Sequence, residues 1–106
     1  MELLPDEVRK TLPEIYSQAG DEEHTVYIKF FTPDADWTWY VTEGSPEGDD
    51  VLFFGYVIGL ENEWGYFRLS ELKATRGILG LPIERDLYFT PGPISEVLKR
   101  EGHEQG

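Results

Sequence analysis

The chain has 106 residues and no cysteine, and its 21 Asp and Glu outnumber nine Lys and Arg to give a formal net charge of −12. One hydrophobic core fits that length, and without thiols there are no disulfides and no thiolate metal sites. The charge disfavours direct contact with nucleic acid or anionic lipid, while an aromatic content of 14% argues against disorder.

The expected elements follow in chain order. Residues 5–18 carry Val8, Leu12, Ile15 and Tyr16 at helical spacing, with Asp6 and Glu7 in the first turn; Pro13 should kink or split this helix. Residues 25–32, rich in β-branched and aromatic side chains, predict a first strand. After the turn Pro33–Asp36, residues 37–43 alternate, sending Trp37, Trp39 and Val41 one way and Thr38, Tyr40 and Thr42 the other. Residues 44–50 read as a polar loop. Residues 51–59 are apolar on both faces, as in a central strand, and Gly55 within them marks a bulge or a close approach by another side chain. A fourth strand is expected over 64–69, then a short helix over 71–75 with Ser70 as N-cap. A fifth strand is expected over 85–90, and a short helix over 95–100 closes the chain.

Short connections between successive strands favour an antiparallel meander. The expected fold is α+β: one domain over 1–106, with a four- to five-stranded antiparallel sheet. Short helices from the N- and C-terminal ends pack on one face, and a polar tail frays from residue 101. No apolar run approaches the roughly 20 residues that span a bilayer, and Met1–Asp6 lacks the features of a signal peptide. The expected location is the cytoplasm.

In a meander, alternate loops emerge at the same end of the sheet. Asp21, Glu22 and Glu23 should therefore join Glu43, Glu47, Asp49 and Asp50 at one pole, with Asp34, Asp36, Glu61 and Glu63 at the other. Such placement keeps the strands apolar and needs no partner. Its functional reading is an acidic pole that docks on a basic protein groove. Most of the aromatic stripe Trp37, Trp39, Tyr40, Tyr56, Trp64 and Tyr66 should be core. Alternation nevertheless turns Tyr40 away from Trp39 and Tyr66 away from Phe67, so on an uncovered sheet face these two tyrosines would form an interaction patch.

Catalytic, cofactor and metal signatures are weak. In an EF-hand frame starting at Asp34, the sixth and twelfth positions are Trp39 and Ser45 instead of Gly and Glu. Loose divalent binding by Asp34 and Asp36, or by Glu84 and Asp86, stays open, as does acid–base work by Glu61 with Glu63 or by Glu84 with Asp86. His24 and His103 have no ligand spacing and read as solvated. Ser70–Lys73 matches Ser-x-x-Lys without the companion motifs, and Gly77-x-x-Gly80 lacks the rest of a phosphate loop.

Several ordered motifs carry a family resemblance. Lys29–Asp34, Trp37–Tyr40, Leu52–Gly59, Gly65–Phe67 and Gly80–Asp86 together resemble a bacterial family, the domain of unknown function 2958, from Leu3 to Phe89. The resemblance implies a small intracellular protein of plasmids and conjugative elements, with no known activity and no assigned residues. Mobile elements encode small acidic proteins that block host defence, some by presenting DNA-like charge. The functional expectation is thus an acidic protein-binding module, a counter-defence factor or DNA mimic, facing a basic and nucleic-acid-binding protein. Its candidate residues are Asp21, Glu22, Glu23, Glu43, Glu47, Asp49, Asp50, Tyr40 and Tyr66. The alternatives are an accessory protein of plasmid DNA metabolism and a small carboxylate-dependent enzyme.

Overall fold

The computed structural model describes residues 1–103. In chain order it contains α1 (Asp6–Arg9), β1 (Thr25–Val26), β2 (Ile28–Phe31), β3 (Thr38–Glu47), β4 (Asp50–Ile58), β5 (Asn62–Arg68), α2 (Leu69–Ala74), β6 (Glu84–Arg85), β7 (Gly92–Pro93) and α3 (Ile94–Arg100). Five strands form one antiparallel sheet in the order β5-β4-β3-β2-β6, and β1 pairs with β7 in a two-stranded ribbon. The mainly antiparallel α+β reading holds. No helix among the described residues is long and apolar enough to cross a membrane.

Strand alternation divides the core between the two sheet faces. On the inner face, Ile28, Phe30, Trp39, Val41, Phe53 and Phe67 pack with Leu3, Leu4, Val8 and Leu12 of the N-terminal segment and with Leu72 of α2. On the outer face, Tyr40 packs with Val26 and with Val97, Ile94 and Leu98 of α3. The two chain ends therefore cover opposite faces, which corrects the expectation that their helices share one.

Local chemistry explains the other departures. The helix expected over 5–18 stops after Arg9. The Thr11 hydroxyl donates to the Val8 carbonyl at 2.7 Å, and Pro13 drives the residue before it out of helical geometry. The strand expected over 25–32 breaks at Tyr27, whose N–H donates to Val41; its first half pairs with β7 and its second with β3. Residues 44–47, expected as loop, continue β3. β2 pairs β3 only from Thr38 to Val41, so Pro46 lies beyond the part of β3 that β2 pairs, a position that tolerates its missing N–H. Gly48, at φ +60°, fills the first position of the two-residue turn between Glu47 and Asp50, as a type II′ hairpin requires.

At Gly55 the close approach is made by backbone and not, as expected, by a side chain. A Cβ there would lie 2.1 Å from the Tyr40 carbonyl oxygen, beside the register shift between Val41 and Glu43. The strand expected over 85–90 shrinks to β6. Of the tail expected to fray from 101, residues 101–103 cap α3, and 104–106 lie outside the described residues. Gly102 adopts φ +81° and its N–H donates to Lys99, while the His103 N–H donates to Leu98. These are the paired bonds of a Schellman cap.

Candidate functional site

The register places two rows of side chains across the outer face: Tyr40–Tyr56–Trp64 and Glu43–Phe54–Tyr66. α3 covers the Tyr40 end, and the β4–β5 end stays open. There Phe54 stacks on Trp64 at 5.6 Å between ring centroids and lies 4.9 Å from Tyr66, and Tyr56 sits 5.3 Å from Trp64. The His24 ring adds a further contact with Trp64 at 5.2 Å. Tyr16 joins beside Tyr66 and pushes the Tyr66 hydroxyl above its ordinary pKa. The rim is open to solvent, with Tyr16 71%, Tyr66 52% and Trp64 40% exposed.

Glu43 builds this face from below. It is 2% exposed, and its carboxylate accepts the Tyr16 N–H at 2.9 Å and the Gln18 N–H at 2.8 Å. The Gln18 side-chain amide donates in turn to the Thr42 carbonyl at 2.9 Å, and Ser45 Oγ accepts the Ile15 N–H at 2.9 Å. Tyr16 is held at φ 73°, a conformation that costs a non-glycine residue on the order of 1 kcal/mol. The clamp thus fixes a strained turn that presents an exposed aromatic ring.

Of the nine residues anticipated as partner-binding, Tyr66 lies on this open face. Tyr40 does not: it is fully buried under α3. Its hydroxyl donates to Glu101 at 3.2 Å, and burial followed by the Glu101 charge raises its pKa far above the ordinary range. Glu101 also pairs with Lys29, which reaches Asp86 at 3.6 Å. Tyr40 is therefore an anchor for α3.

The seven carboxylates differ in burial and in partners. Glu43 is buried. Glu47 pairs with Arg68 and raises its pKa. Asp50 accepts the Ser70 hydroxyl and the Ser70 and Val51 N–H groups, which together hold it below the usual carboxylate range, the Ser70 hydroxyl contributing most. Glu23 accepts the Ser95 N–H at 2.7 Å, and its bonding to Ser95 lowers it likewise. Asp21, Glu22 and Asp49 are exposed. Asp21 and Glu22 lead directly to His24 on the aromatic face, whereas Asp49 sits in the β3–β4 turn.

Other anticipated chemistry disperses. Asp34 accepts the Leu79 and Leu81 N–H groups at 2.7 and 3.2 Å. It packs so closely on Gly77 that a Cβ there would lie 1.5 Å from its Oδ1, so it pins the 77–81 loop. Glu84 and Asp86 line different clefts, of about 460 and 200 Å³. Ser70 lies within α2, after the N-cap Arg68. His24 and His103, expected to be solvated, are half-buried against aromatic rings.

Reasoning from sequence missed Trp64 and Tyr16 as site residues. The alternation that singled out Tyr66 assigns Trp64 to the same face. Tyr16 had no such signal, since its place depends on the buried Glu43.

The family model described as a protein of unknown function, DUF2958, matches residues 3–105. This chain belongs to the DUF2958 family. No curated protein and no solved structure matches it. The matched span passes Phe89 and takes in α3 and its cap. In this DUF2958 protein the helix that buries Tyr40, and so bounds the aromatic face, is thus part of the family's own domain.

Proposed function

We propose that this DUF2958 protein is a protein-binding module that docks on a basic surface of its partner. The observation that carries the reading is the open aromatic face of β4 and β5, with Tyr16, Trp64 and Tyr66 at its rim, on a chain of net charge −12. Exposed contiguous aromatics supply the anchors that dominate interface energy, while the surrounding charge selects and steers a cationic partner. The family setting directs the reading further: a module of bacterial mobile elements that occupies the basic surface of a nucleic-acid-binding protein, as a counter-defence factor would.

The test is binding to a purified basic partner, identified by capture from bacterial lysate at low salt. Trp64→Ser combined with Tyr66→Ser should weaken binding at least tenfold, with the far-UV circular dichroism unchanged. Asp21→Asn with Glu22→Gln and Asp49→Asn should flatten the salt dependence. Binding that is insensitive to both sets, or an affinity that rises with salt, overturns the reading.

A further inference from the structure

Among the described residues β5 is an outer strand of the sheet, paired with β4 and with no strand beyond it. Its free edge is unusually well defined. The Arg68 N–H donates to Glu71, as expected where Arg68 and Leu52 form a non-hydrogen-bonded pair. Antiparallel pairs alternate, which makes Phe67, Gly65 and Glu63 the residues bonded to β4. The opposite edge of β3 agrees with this phase, because the Val41 and Trp37 carbonyls accept the Tyr27 and Thr32 N–H groups on the side away from β4. The backbone N–H and C=O groups of Asn62, Trp64 and Tyr66 therefore point outward. These are also the residues whose side chains lie on the aromatic face, and of the seven in β5 only Phe67 is buried.

We infer that β5 is a docking edge for an extended, arginine-containing segment of another protein, which adds as a sixth strand. This rests on the protein-binding reading above and names its occupant. A strand paired to the outward groups of Trp64 and Tyr66 places alternate side chains directly opposite them, with Cβ atoms about 5 Å away on the same face. Guanidinium groups at those positions lie over the two rings in cation–π contact. The backbone bonds give the affinity and the alternate side chains the choice of sequence, as in other strand-addition complexes. Charge selects the occupant: two copies of this chain, each at −12, repel, and the edge carries Glu61 and Glu63 at its start. Acidic side chains on an edge strand oppose self-pairing and favour a cationic guest.

The experiment titrates the isotopically labelled full chain with a capped seven-residue peptide alternating Thr and Arg, followed by amide and indole NMR shifts. Two control peptides carry N-methylarginine or citrulline in place of Arg. The expected result is shifts confined to Asn62–Arg68, Tyr16, His24 and the Trp64 indole, with binding at least tenfold weaker for the N-methyl peptide and about tenfold weaker for the citrulline peptide. Equal affinity for the N-methyl and parent peptides overturns edge pairing. If the purified basic partner still binds in a manner sensitive to Trp64 and Tyr66, the protein-binding reading stands without it. No binding of the parent peptide at millimolar concentration also overturns the inference. So does a dimer in sedimentation that strengthens with salt and protects the β5 amides, since the occupant is then a second copy.

Discussion

Glu43 is the residue on which the candidate site turns. A carboxylate buried without a cation is costly unless backbone donors satisfy it, and here the N–H groups of Tyr16 and Gln18 do so. Glu43→Ala should destabilise the protein by about 3 kcal/mol in urea unfolding and speed amide exchange over 14–19 about a hundredfold. Glu43→Gln, which keeps one acceptor oxygen, should lose less. Nothing in the sequence separates this glutamate from Glu47 four residues later, because burial of a charge depends on what folds over it. Tyr40 makes a second prediction. Its folded pKa lies above the ordinary 10.0, so the folded state favours the neutral phenol. That contribution is present below about pH 10 and is lost as pH rises past it. Tyr40→Phe should cost about 1 kcal/mol at neutral pH through the lost Glu101 bond. The variant should also show a shallower fall in urea midpoint above about pH 10 than the native chain.

At the scale of elements, the β3–β4 hairpin and α2 depend on contacts their own sequences only partly announce. The Gly55 position was legible as a special glycine, and its reason is the Tyr40 carbonyl 2.1 Å from where a Cβ would stand. Gly55→Ala should cost about 3 kcal/mol as the β3–β4 ladder opens to accommodate the methyl group, read as a lowered melting temperature. α2 takes the capping of its first turn partly from Asp50 on β4 and not from Ser70, which itself lies inside the helix. Asp50 has a lowered folded pKa, so its contribution is present above the unfolded carboxylate pKa and is lost as pH falls through the lowered value. Asp50→Asn should remove that acid-side loss from the pH profile of stability and increase exchange of the Ser70 amide. The polar stretch 44–47 lacks the alternation of apolar residues that marks a strand. Pairing with Phe53 and Val51 makes it strand, an instance of tertiary context overriding local propensity.

Over the whole molecule, a net charge of −12 opposes the compact state by self-repulsion. Added sodium chloride should therefore raise the melting temperature of the isolated chain while weakening its complex with a basic partner, an opposition in sign that calorimetry and a binding assay can read on one sample. The sequence by itself determined the α+β class, most strands of the sheet, the special role of Gly55 and the charge that any partner must match. Alternation of β-branched and aromatic residues is a local property, and net charge needs no structure at all. Tertiary structure alone decided which aromatics are open. Tyr40 and Tyr66 lie on the same sheet face, and period-two alternation treats them alike. α3, arriving more than 50 residues after Tyr40 in the chain, covers Tyr40 and leaves Tyr66 and Trp64 in solvent. It is likewise the fold that buries Glu43 and turns Tyr16 toward Tyr66. Coverage of a sheet face is set by packing between segments distant in sequence, which local periodicity does not encode.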